Sequence, residues 1–254
     1  MDRQSNPPVA HSGKVSLENA FSAVDLLTAI RDVAKALRYL SINEGILHKH
    51  IGFDTIRIQS DGADGVKGLV VDLDFPNPAE GSSSDPNDPQ TCTSFAFQSN
   101  NQLRTRLPYS HTDDLESLFY VICWACYAYD HTGLPDKFRP ALLTQWTKDK
   151  YAKGGFVTSC IDSHVNRYMG CQRDIVEGVI DELGLAVRRR KSDADADYAA
   201  FLTIIDQGID RTTNSSCGHG PTHSCSKMAS LVVGRKRGIC ELGETEHDPQ
   251  TLKT

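Results

Sequence analysis

No stretch of this 254-residue chain is long and apolar enough to cross a bilayer. The longest apolar run, Leu118 to Tyr129, falls well short of a spanning helix. The N-terminus, Met1-Asp2-Arg3-Gln4-Ser5-Asn6-Pro7-Pro8, lacks the apolar core of a secretory signal. An excess of basic residues is also missing: the net charge is −6, so a nucleic-acid-binding surface is not expected. There is no internal repeat. The eight cysteines have no regular spacing and, without a secretory signal, read as reduced thiols. These absences predict a soluble intracellular protein, cytoplasmic or nuclear, with neither a membrane nor a nucleic acid as partner. What is present is globular: 39% hydrophobic and 24% charged residues, enough for one core of moderate size with flanking tails.

Residues 1–15 are polar, carry a double proline and read as a disordered tail. From Ser16, a fair N-cap, the pattern becomes helical. Phe21, Val24, Leu27, Ile30, Ala34, Leu37 and Leu40 recur in steps of three and four, and Gly45 supplies a stop. Thr55 to Gln59 and Lys67 to Leu73 read as two short strands joined through Ser60-Asp61-Gly62-Ala63-Asp64-Gly65. That glycine cluster is a hairpin turn before it is a phosphate loop. Pro76 to Asp88 is rich in proline, glycine, serine and aspartate, a loop. Leu115 to Tyr129 is apolar nearly all round, which predicts a helix buried on every side. Cys123 and Cys126 lie inside that run and read as core thiols. Weaker helical patterns follow over 142–153, 173–185 and 197–208. Residues 211–254 are polar and aperiodic, a second disordered tail.

Three motifs occur in order. Gly45-Ile46-Leu47-His48-Lys49-His50-Ile51 follows the long helix. Gly68-Leu69-Val70-Val71-Asp72-Leu73-Asp74 ends a strand. Asp113-Asp114-Leu115-Glu116-Ser117-Leu118-Phe119-Tyr120-Val121-Ile122-Cys123-Trp124 opens the buried helix. Together they resemble the catalytic loop, the metal-binding strand end and the central helix of the fungal-type protein kinase family. The resemblance covers roughly residues 16–210, with 76–108 in the place of the activation loop. It implies a mainly α fold: a protein-kinase-like C-lobe with one short β-hairpin and the N-lobe missing. No Gly-rich strand-turn-strand and no strand lysine precede Ser16.

The resemblance also assigns roles. His48, Lys49 and His50 stand at the catalytic His-Arg-Asp, so an imidazole replaces the carboxylate that accepts the substrate proton. Thr55 stands where an asparagine would hold the second magnesium, and a hydroxyl is a poor hard-metal ligand beside an amide carbonyl. Asp72 and Asp74 remain as the candidate Mg²⁺ pair, two carboxylates at i and i+2 pointing the same way from an extended segment. Asp114 is the aspartate that anchors the loop's backbone amides, an architectural role. Thr91-Cys92-Thr93 is similar to the Thr-Gly-Thr ahead of the substrate-binding loop, but the expected residues after it are absent.

The expected function is therefore that of a pseudokinase, an interaction or scaffold module with a protein partner, no phosphotransfer and no cofactor. Two alternatives stand beside it. One is an active Ser/Thr protein kinase fragment binding ATP and Mg²⁺. The other is a zinc-dependent interaction tail on a passive lobe, built on Cys217, His219, His223 and Cys225, which offer two thiolates and two imidazoles. Their loop is tighter than the usual finger spacing, and no apolar pattern accompanies it. The clusters Arg188-Arg189-Arg190-Lys191 and Arg235-Lys236-Arg237 read as solvated charge or as nuclear-import patches.

Overall fold

The computed structural model describes residues 14–17, 20, 22–60, 66–73, 95–105, 107–136, 141–149, 151–153, 165, 167–189 and 193–215. The segments taken as disordered N-terminal tail, activation-loop-like loop and C-terminal tail lie wholly or largely outside these residues.

The chain enters as a strand. β1, Lys14–Ser16, pairs antiparallel with β2, Ile56–Ser60, with Ser16 opposite Arg57. β2 pairs in turn with β3, Val66–Val70, with Ile58 opposite Gly68, giving a three-stranded sheet in the order β1-β2-β3. The expected hairpin is therefore present but carries a third strand, and Ser16 belongs to that strand instead of capping a helix. Helix α1 is Ala23–Tyr39. It starts at Ser22, whose hydroxyl accepts the Asp25 amide at 3.0 Å while Asp25 accepts the Ser22 amide at 3.2 Å. This reciprocal box satisfies two otherwise orphan donors.

The buried stripe of α1 is Ala23, Leu26, Leu27, Ile30, Val33, Ala34 and Leu37. Val24 and Leu40 of the expected stripe are half-buried. A π-helical turn, Leu40–Glu44, follows and ends at Gly45, whose φ of 67° is the left-handed conformation that glycine adopts without steric cost. Strand β3 lies directly on α1. A Cβ at Gly68 would stand 1.9 Å from the Ala29 carbonyl oxygen, and the Gly68 amide donates to Asp32 at 3.2 Å.

Helix α2, His111–Tyr127, is buried on nearly every side, as its all-round apolar pattern predicts. α3 is the short Ala141–Trp146, far less than the 142–153 pattern suggested. α4, Cys171–Arg188, and α5, Ala194–Asn214, complete the core with Val176, Val179, Ile180, Leu183, Tyr198, Phe201, Leu202 and Ile205. Both run longer than predicted. At the start of α5, Asp193 accepts the Asp195 and Ala196 amides and so extends the helix one turn ahead of the apolar pattern. Cys123 and Cys126 are buried free thiols. Cys171 is disulfide-bonded, contrary to the expectation of eight reduced thiols. Among the described residues no helix is long and apolar enough to cross a membrane.

Candidate functional site

The first turn of α2 organises the 48–55 loop. Asp114 is 1% exposed. Its carboxylate accepts the backbone N–H of His48 at 2.9 Å, the N–H of Lys49 at 3.0 Å and the hydroxyl of Tyr109 at 2.6 Å. Burial pushes its carboxyl above the ordinary aspartate range, against the pull of those three donors. Tyr109 is driven upward too, first by burial and then by the charge of Asp114 beside it.

His48 carries the link onward. Its Nε2–H donates to the carbonyl of Val71 at 3.1 Å, and its Nδ1 accepts the backbone N–H of His50 at 3.3 Å. A carbonyl only accepts and an amide N–H only donates, so both contacts together fix one neutral tautomer. A second bond, from the Val71 amide to the Thr55 carbonyl at 2.9 Å, ties the same two segments. Lys49 and Asp72 flank this junction with φ values of 64° and 62°, left-handed conformations in residues other than glycine.

The predicted site residues thus separate by environment. His48 and Thr55 are buried, His50 is half-buried, and Lys49 and Asp72 are exposed. The Thr55 hydroxyl is engaged twice by one residue: it accepts the Gly52 amide at 2.9 Å and donates to the Gly52 carbonyl at 3.1 Å. It closes the loop upon itself. Asp74, Cys217, His219, His223 and Cys225 lie outside the described residues. Among the described residues no three His, Cys, Asp or Glu side chains come together to hold a metal ion.

Sequence reading missed a second cluster on the same helix. Asp113 accepts the Ser99 hydroxyl at 2.6 Å, the Asn101 amide group at 3.2 Å and the Ser110 backbone N–H at 2.8 Å. Glu116 accepts the Asn100 backbone N–H at 2.9 Å, the Asn100 side-chain amide at 2.8 Å and the Tyr120 hydroxyl at 2.7 Å. Together they hold residues 99–101, which open the π-helical turn Asn101–Thr105. The available signal was a pair of carboxylates inside an otherwise apolar helix, since buried charge demands partners.

A family model described as fungal protein kinase matches residues 9–126. No curated protein matches the chain. The matched segment contains the loop at His48, the strand end at Asp72 and the anchoring Asp114, joined as described above. Over residues 9–126, which carry all three motifs, this chain is similar to the fungal protein kinase family.

Proposed function

We propose that this kinase-like chain is a pseudokinase: a module that binds a protein partner and does not transfer phosphate. One observation carries the reading. Asp114 holds the amides of His48 and Lys49, which fixes the register of the loop. In that register His50 stands at the position of the proton-accepting carboxylate, and using Asp54 instead would require the loop to slip off its anchor. An imidazole accepts a proton but brings no negative charge to orient a hydroxyl or hold a metal, and positioning and charge are most of phosphoryl-transfer catalysis. The commitment of Thr55 to Gly52 supports the same conclusion, as it turns the other metal-ligand position inward. Exposed apolar residues, Phe95 and Leu107 among them, offer surface to a protein partner.

The test is incubation of the full chain with γ-labelled ATP, Mg²⁺ or Mn²⁺ and a generic Ser/Thr substrate. No incorporation is expected, and no rise in Tm with nucleotide and metal. Incorporation abolished by changing His50 overturns the reading. A chain that stays monomeric and captures no protein counts against the scaffold role. The rival, a phosphotransferase fragment using Mg-ATP, draws on Asp72 being exposed at the strand end. A nucleotide-dependent rise in Tm that disappears in Asp72→Ala would favour it.

A further inference from the structure

A cavity of about 480 Å³ opens between α4 and α5. α4 lines it with Glu182, Leu185, Ala186 and Arg189, and α5 with Asp197, Ala200, Phe201 and Ile204. Both sets recur at i, i+3, i+4 and i+7, so each helix turns one face to the cleft. The floor is the core itself: Leu115 of α2 and Phe201 are buried, whereas Leu185 on the wall is 43% exposed. We propose that this cleft docks a short amphipathic helix of a partner protein, one whose apolar stripe is flanked by a carboxylate that meets Arg189. The inference goes beyond the pseudokinase reading, since a lobe that transferred phosphate would dock the same helix.

Shape selects a helix. The backbones of α4 and α5 bond within their own helices, so the walls offer no ladder to an extended strand. A third helix brings its backbone already satisfied and lays its apolar face into the groove. Ala186 and Ala200 stand on opposite walls without bulk, which lets that helix approach closely. From Glu182 to Arg189 the cleft runs roughly 10 Å at the rise of an α-helix, about two turns of an occupant. A compact small molecule would lie against the open wall at Leu185 and remain largely in water, unlike a ligand enclosed in its pocket.

Charge selects the sign of the partner. Of the two carboxylates lining the cleft, Asp197 is paired with His111 at 3.0 Å and Glu182 with Arg211 at 3.2 Å. Two more at the start of α5 are occupied as well. Asp193 accepts amides of its own helix, and Asp195 pairs with Arg38 at 2.5 Å. Arg189 is exposed, and among the described residues its guanidinium meets no acceptor. The neighbouring Arg188 donates only to the Gly184 carbonyl, at 3.1 Å, which leaves its charge unmatched. The sequence continues with Arg190 and Lys191. The charge left over at this end of the cleft is therefore positive, and it favours an acidic flank on the incoming helix over a basic one.

Fluorescence anisotropy of the full chain with two labelled, stapled helices tests this. Both probes carry the same leucine stripe; one has glutamate at the flanking positions and the other lysine. The glutamate helix is expected to bind with a Kd on the order of 10 μM, and the lysine helix about tenfold more weakly. Arg189→Glu should erase that preference. Ala200→Trp, which fills the cleft from an exposed position, should abolish binding of both probes without lowering Tm. If it does lower Tm, the Arg189→Glu result decides alone. Binding of neither helix, equal binding of both, or a preference that Arg189→Glu leaves undiminished overturns the proposal. So does a dimer in sedimentation that Ala200→Trp dissolves, since the cleft would then belong to a second copy of the chain. Uptake of label from ATP bears on the pseudokinase reading alone.

Discussion

Two clusters grow from the opening turns of α2, and they hold their targets by opposite means. On one side Asp114 grips the 48–50 loop through backbone amides, which every residue except proline supplies. On the other, Asp113, Glu116 and Lys153, whose buried amine donates to the Gln98 carbonyl, grip residues 98–101 largely through particular side chains in a dry setting. The first grip is indifferent to which side chains the loop bears, and the second is not. A loop anchored by its main chain keeps its shape when its carboxylate becomes an imidazole. On the pseudokinase reading proposed above, the architecture at His50 would survive a substitution that removes its chemistry.

The contrast can be broken from either side. Asp114→Ala should cost the most, about 3 kcal/mol or more, because it leaves two amides and a hydroxyl without their acceptor. Chemical denaturation measures it, and a loss under 1 kcal/mol would mean the loop is held elsewhere. Next comes the pH dependence that the second cluster supplies between about 7 and 10.5. The Lys153 amine falls from 10.5 to about 7 on folding, so between those values the unfolded chain binds more protons than the folded one. Stability then rises with pH across that window and is lost as pH falls back toward 7. Comparing wild type with Lys153→Met should isolate this slope.

Thr55→Val should cost about 1–2 kcal/mol, since it removes both hydroxyl bonds to Gly52 while keeping the shape. His50→Asp should change stability least, within about 0.5 kcal/mol, and leave phosphotransfer undetectable. Regained transfer would show that the imidazole alone silences the lobe.

Much of this arrangement was legible in the sequence, for reasons of period and order. The 3.6-residue stripe marked α1, the Gly/Asp turn between two short segments marked β2 and β3, and the all-round apolar run marked α2. The anchoring role of Asp114 followed from the resemblance to the kinase family, and from no local pattern. β1 was invisible because three residues have no period, and what defines them is a partner more than forty positions away at Arg57, Ile58 and Gln59. Tyr109 and Lys153 were missed for a different reason. A tyrosine in a polar stretch and a lysine at the end of a weak helical pattern read as surface by default. Their burial arises from tertiary contacts with Asp114, Tyr120 and Gln98 that no local pattern announces.

Gly68 has a consequence well beyond its own position. Strand β3 sits so near α1 that the hydrogen of a glycine is all the gap admits. Past the end of that strand at Val70 the chain runs on through Val71 to the exposed Asp72. Adding a single methyl at Gly68 would act as a wedge, prising the strand from the helix and swinging its far end. The address of that outward-facing carboxylate is thus written by an atom group the chain does without.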